Sequence, residues 1–99
     1  MKHLMYGGEL LLTTDAVAYT IIDYAIALAQ NGLADRVTLP TFDVEGDAVL
    51  TTILLAPGLP LLAQEAPPGG ASDESAVTSR SRAFVDDLSA RTLALRLET

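Results

Sequence analysis

The residues whose types and spacing could do chemistry lie on one predicted helix. Asp23 falls in the middle of an apolar segment, and Tyr19 and Thr20 precede it by four and three residues. On a helix these three side chains share one region of the surface. If Asp23 were buried there, its carboxyl group could act as a general acid or base; otherwise it faces solvent or accepts a hydrogen bond from Tyr19 or Thr20. We take Tyr19, Asp23 and Tyr24 as candidate ligand-binding residues.

Nucleophilic catalysis and metal binding have few candidate residues in this chain. It contains no cysteine, and the single histidine, His3, reads most simply as an exposed residue at the start of a strand. A serine nucleophile would need that histidine as its base. Asp43, Glu45 and Asp47 resemble part of an oxygen-ligand loop, but the later bidentate glutamate of an EF-hand is missing, which favours a solvated hairpin turn. We therefore predict no catalytic residue, no metal and no cofactor.

Two glycine pairs and one pair of acids are the remaining motifs. Neither Gly7-Gly8 nor the pair at 69–70 fits the spacing of a dinucleotide-binding or P-loop motif. Asp86 and Asp87 are neighbours on a predicted helix and point about 100° apart, so they do not form a shared carboxylate site. These motifs add no catalytic candidate.

Composition narrows the classes of partner. The chain has 99 residues, is 49% apolar and carries a net charge of −7, which is typical of one small folded domain. That charge argues against nucleic acid and anionic membranes as partners. The longest apolar stretch, residues 48–63, is too short and too broken by prolines to span a bilayer. Because no secretory signal is recognisable, we expect a cytoplasmic protein, and one lysine beside five arginines is typical of a GC-rich bacterial genome.

The elements that would position these residues begin with a hairpin. Gly7-Gly8 favours a tight turn, and leucines on both faces of its second arm, residues 9–12, predict a strand that is covered on both sides. Residues 13–15 offer helix N-caps, and the following helix should run from 15 to 30 and end at Asn31-Gly32.

The second half of the chain reads as strands followed by a helix. Residues 37–44 and 49–55 should pair as a hairpin, with Pro40 marking an edge or a bulge, and residues 61–64 should return as a short edge strand. Residues 67–72 form a proline- and glycine-rich linker. Ser72 is the predicted cap of a final amphipathic helix, with Val77 on its apolar side.

The amount of apolar surface is the strongest remaining indication of function in the sequence. The central helix carries one stripe with Val17 and Ile21 and a second with Tyr19 and Ile26, so it should be buried on most sides. One stripe can cover the protomer's own sheet. The second then needs a partner chain, unless the C-terminal helix folds back over it. The apolar run at residues 50–55 adds to this surface, so we expect a homodimer whose interface uses part of the central helix, the sheet beside it, or both. The interface candidates named by residue lie on the two helices: Val17, Ile21, Ile22, Ile26, Leu28, Phe84 and Leu88.

The predicted fold class is α+β: a small antiparallel sheet built from hairpins packs on a buried central helix, with a C-terminal amphipathic helix added. Residues 1–66 form the α+β core, 67–72 the linker, and 73–99 a helix that packs on the core or on a partner chain. We expect a protein that acts through protein–protein contact, most simply as a homodimeric regulatory or accessory subunit. The alternative is a small-molecule-binding protein or small enzyme with a pocket near Asp23, Tyr19 and Tyr24.

Overall fold

The N-terminal hairpin forms where the glycine pair predicts it. In a computed structural model, which describes residues 1–66 and 74–97 (only the backbone for 74–79), strands β1 (Lys2–Tyr6) and β2 (Glu9–Thr13) pair antiparallel. Gly7 and Gly8 connect them with φ angles of 57° and 87°. A side chain at either position would strain that backbone, so the turn explains both glycines.

Helix α1 (Asp15–Gln30) has the bounds that its capping residues predict. Thr14 is the N-cap, and its Oγ1 accepts a hydrogen bond of 3.2 Å from the Val17 N–H. At the other end Gly32 adopts a φ of 64°, the left-handed conformation that commonly follows a helix.

The remaining strands complete one five-stranded antiparallel sheet. Strands β3 (Asp35–Phe42) and β4 (Ala48–Leu55) form the predicted hairpin, and β5 (Leu61–Glu65) returns beside β1 as an edge strand. The strand order is β4-β3-β2-β1-β5. Tyr6 ties two distant parts of this sheet together, because its hydroxyl donates to the Leu54 carbonyl at 2.7 Å and accepts from the Ala56 N–H at 2.9 Å.

The sequence suggested that Pro40 marks an edge strand or a bulge, but the strand that contains Pro40 does not lie at the edge of the sheet. This strand, β3, lies inside the sheet between β4 and β2. The β3–β4 ladder runs the full length of both strands, whereas β2 and β3 are matched at a single pair, Leu12 and Phe42. The Pro40 carbonyl instead accepts the Thr13 hydroxyl at 2.7 Å. A residue without an N–H is tolerated where the ladder is this incomplete.

Both helices pack on the same face of the sheet. Helix α2 (Glu74–Leu97) lies beside α1, and its Leu88 is in the core with Leu4, Val17, Ile21 and Leu39. Phe84, Val85 and Leu95 are partly buried against that core. The C-terminal helix therefore docks on its own chain. The predicted linker at 67–72, the predicted cap Ser72 and the side chain of Val77 lie outside the described residues.

The opposite face of the sheet has no helix over it in the described part of the chain. The expectation that β2 is covered on both sides is therefore wrong: Leu11 faces the helices, but Leu10 is 53% exposed. We call this surface the outer face. Cross-strand pairing places the following residues on it: His3, Met5, Leu10, Leu12, Arg36, Thr38, Pro40, Phe42, Ala48, Leu50, Thr52, Leu54, Leu62 and Gln64.

Candidate functional site

The three candidate ligand-binding residues do not line one pocket. Tyr24 is buried, and its hydroxyl donates a hydrogen bond of 2.5 Å to Oδ2 of Asp35. Tyr19 is exposed, with Nζ of Lys2 5.8 Å from its ring centroid. Asp23 is also exposed and lies between these two positions on the helix. The three residues are therefore close in sequence but lie in three different environments.

Asp23 lines a small cleft between the two helices. Thr20 of α1 and Ser89 and Thr92 of α2 share this cleft, which has a volume of about 140 Å³. Ligand pockets usually measure roughly 300–1,000 Å³. The Thr92 hydroxyl already donates to the Leu88 carbonyl at 2.9 Å. The cleft is a polar seam between packed helices, with little room for an organic ligand.

The polar cluster around Tyr24 contains residues that the sequence did not bring together. Asp35, at the start of β3, accepts from Tyr24 and lies 3.3 Å from Nη1 of Arg91. Nη2 of Arg91 contacts Asp87 at 3.1 Å, one helical turn earlier. The backbone N–H of Arg36 donates to the other Asp35 oxygen at 2.8 Å. Only the four-residue spacing of Asp87 and Arg91 could have been read from the sequence.

This cluster holds elements together and is poorly suited to proton transfer at neutral pH. The hydrogen bond from Tyr24 lowers the pKa of Asp35 below its ordinary range. Burial, and then the hydrogen bond to Asp35, raises the pKa of Tyr24. The carboxylate is therefore charged and the phenol neutral across the physiological range. The cluster links α1, β3 and α2 at one point.

The three acids of the β3–β4 turn lie close together, as their spacing implies. Their carboxylate oxygens are within 4.8 Å of one another, so Asp43, Glu45 and Asp47 are the described group with the spacing for a cation. However, Oδ1 of Asp43 already accepts the backbone N–H groups of Glu45 at 2.9 Å and Asp47 at 3.0 Å. This is the hydrogen bonding of an aspartate-stabilised turn and accounts for Asp43 without a metal.

A wider cleft lies between the N-terminal end of α1 and helix α2. It has a volume of about 340 Å³ and is lined by Thr14 and Ala16 on one side and by Ser81, Arg82, Val85 and Asp86 on the other. Oγ of Ser81 is buried and has no hydrogen-bond partner within the described residues. Because this oxygen is itself buried, a ligand in the cleft would not contact it in this conformation.

The interface candidates from the sequence differ sharply in what they expose. Val17, Ile21, Leu28 and Leu88 are buried in the protomer's own core and present no surface to a partner. Ile22 and Phe84 are half-buried. Ile26 is 47% exposed and lies on the same side of α1 as Tyr19. We call Tyr19, Ile22 and Ile26 the helix stripe.

The outer face carries the larger apolar surface, and of its exposed residues the sequence analysis pointed only to those in the run at 50–55. Met5, Leu10, Leu50, Leu54 and Leu62 are 40–60% exposed there. A hollow of about 290 Å³ lies on this face between Leu10, Leu12, Phe42 and the β3–β4 turn. The available signal was the run of apolar residues on both sides of a strand, as in Leu10-Leu11-Leu12. Which side the helices cover cannot be read from that pattern.

In the described part of the chain, neither helix is long and apolar enough to cross a membrane. No protein-family model, curated protein or solved structure matches this chain.

Proposed function

We propose that this protein acts through protein–protein contact, as a homodimeric regulatory or accessory subunit in the bacterial cytoplasm. The observation that carries the proposal is that two apolar surfaces stay uncovered after the C-terminal helix has folded back. Helix α2 packs along the flank of α1 that bears Thr20 and Asp23. Within the described part of the chain, α2 covers neither the helix stripe nor the outer face.

The amount of exposed apolar surface supports a partner. Single exposed leucines are common on soluble proteins, but a contiguous apolar patch usually marks a contact site. Five large apolar side chains share the outer face. Fully burying such a side chain is worth about 1.5–3 kcal/mol, and part of that free energy remains available here to association.

The arrangement of polar groups also favours contact over ligand binding. A ligand pocket near Asp23 would need Tyr19 and Tyr24 at the same cleft, but Tyr24 is engaged with Asp35 and Tyr19 faces elsewhere. The net charge of −7 remains the argument against nucleic acid and anionic membranes as the partner. A second protein surface, most simply a second copy of this chain, fits these observations best.

Static light scattering on the purified protein tests the homodimer. We expect a mass near twice the monomer's 10.4 kDa at micromolar concentration, falling toward the monomer on dilution. A mass near the monomer value at micromolar concentration would contradict the proposal. Circular dichroism on the same samples controls for loss of fold.

A further inference from the structure

We propose that a second copy of the chain docks on the outer face, so that two sheets pack face to face with the helices outside. This inference rests on the proposed homodimer and adds the surface and the geometry. Aligned packing of two sheets about 10 Å apart is the usual way to bury such a face.

The distribution of charge selects this surface. The strand residues that the structure describes on the outer face include no aspartate or glutamate, although the chain has 13 acids. Arg36 and His3 are the residues there that can carry charge, and Asp43 lies at the rim in the β3–β4 turn. Two chains of net charge −7 repel wherever their acids face each other. The outer face is a place where two copies can meet without apposing carboxylates from their strands.

The helix stripe is less suitable as a contact between two copies, because acidic residues lie close to it. The exposed carboxylate of Asp23 flanks it on one side. Asp15 lies at the N-terminal end of the stripe, four residues before Tyr19, and is partly neutralised by the terminal amine of Met1 at 2.9 Å. Two copies that met through α1 would bring these acids toward one another.

The arrangement of apolar residues on the outer face suits a second copy. Met5 on β1 is the cross-strand partner of both Leu10 on β2 and Leu62 on β5, so these three exposed side chains form one row. Leu50 and Leu54 lie on the same face of β4. A two-fold interface is formed by one patch meeting itself, and this face offers both protruding leucines and a hollow. Val44, fully exposed in the turn, stands at the rim of that hollow.

Matched leucine-to-aspartate variants test the surface. Leu10→Asp lies on the middle strand of the outer face and Leu50→Asp toward its β4 edge, with exposures of 53% and 60%. Leu93→Asp on α2, where the leucine is 58% exposed, is the matched control, and Ile26→Asp tests the helix stripe. We expect each outer-face variant to raise the dimer dissociation constant by about 100-fold, because an unpaired carboxylate would be buried at the interface. The other two variants should change it by less than about 3-fold.

The outcomes separate this inference from the homodimer itself. If the wild type dimerises and only Ile26→Asp disrupts it, the outer face is wrong and the homodimer stands. If the wild type stays monomeric at all concentrations, both proposals fail.

A distance measurement keeps the geometry testable if an aspartate variant does not fold. The chain has no cysteine, so Thr38→Cys on the outer face gives a single attachment point for a nitroxide label. Face-to-face sheets place the two labels well inside 30 Å, since packed sheets lie about 10 Å apart. A dimer through the helices would separate them by about 30 Å or more, three layer spacings of about 10 Å. The longer distance would overturn the inference.

Discussion

At the scale of single residues, the hydrogen bond from Tyr24 to Asp35 is the contact most able to fix the helices on the sheet. Asp35 also meets Arg91, but both side chains of that ion pair are at least one-third exposed, and exposed ion pairs contribute little. Tyr24 is buried, so its hydrogen bond to the carboxylate is less exposed to water than the ion pair is. The Tyr24–Asp35 contact should therefore matter more than the Arg91–Asp35 pair.

Asp35→Asn should destabilise the protein at neutral pH and reduce its sensitivity to acid. The pKa of Asp35 is lower in the folded than in the unfolded chain. Its contribution is therefore present above the ordinary value of 3.8 and is lost as the pH falls through the folded value. We expect a loss of about 1 kcal/mol at neutral pH, less than the usual ~1.5–3 kcal/mol of a charged hydrogen bond because the carboxylate is partly exposed. Urea unfolding at neutral and acidic pH measures both effects.

The control for that variant is Asp87→Asn. Asp87 contacts Arg91 but not the phenol, and it is 63% exposed, so its loss should leave the free energy of unfolding nearly unchanged. An equal loss in the two variants would show that the arginine, and not Tyr24, carries the stability of the cluster. Asp15 should retain some acid sensitivity in both, because its hydrogen bond to the terminal ammonium lowers its pKa.

At the scale of elements, the attachment of α2 depends mainly on one side chain. Leu88 is almost completely buried in the core, whereas Phe84, the larger residue, is only half-buried beside it. Contact with the core, more than residue size, should rank their contributions to the free energy of unfolding.

Leu88→Ala should therefore cost more stability than Phe84→Ala. Removing a fully buried leucine typically costs about 2–5 kcal/mol, and the half-buried ring of Phe84 should cost less. Leu93→Ala, at an exposed position of the same helix, should change stability by less than about 0.5 kcal/mol. Urea midpoints at one fixed protein concentration compare the three. A Phe84→Ala effect as large as that of Leu88→Ala would show that the helix docks through its N-terminal part.

The sequence predicted the elements well because their signals are local. The Thr14 cap, Gly32 and the Gly7-Gly8 turn each act within a few residues, and they fixed α1 and the first hairpin almost to the residue. The site was harder to predict because its parts are distant. Asp35 and Arg91 lie 56 residues apart. Strand order and the choice of face for two helices depend on how whole elements pack, which no short pattern reports.

At the scale of the whole molecule, two opposing terms decide whether copies associate. Apolar burial on the outer face favours the dimer, and the net charge of −7 on each chain opposes it at long range. If the interface lacks carboxylates, as proposed, salt should weaken the repulsion without breaking any attractive ion pair. Salt dependence therefore reports which kind of contact holds the copies together.

We expect the dimer to tighten as salt is added, and the thermal midpoint to rise with protein concentration. Screening shortens the reach of charge from about 30 Å at 0.01 M salt to about 10 Å at 0.1 M, so repulsion between the two acidic bodies falls while apolar burial is unchanged. A dimer is also stabilised by mass action, so it should unfold at a higher temperature when the protein concentration is higher. Sedimentation equilibrium over this salt range and Tm over a dilution series measure the two effects. A dimer that weakens with salt would indicate an interface held by ion pairs, which the outer face does not supply.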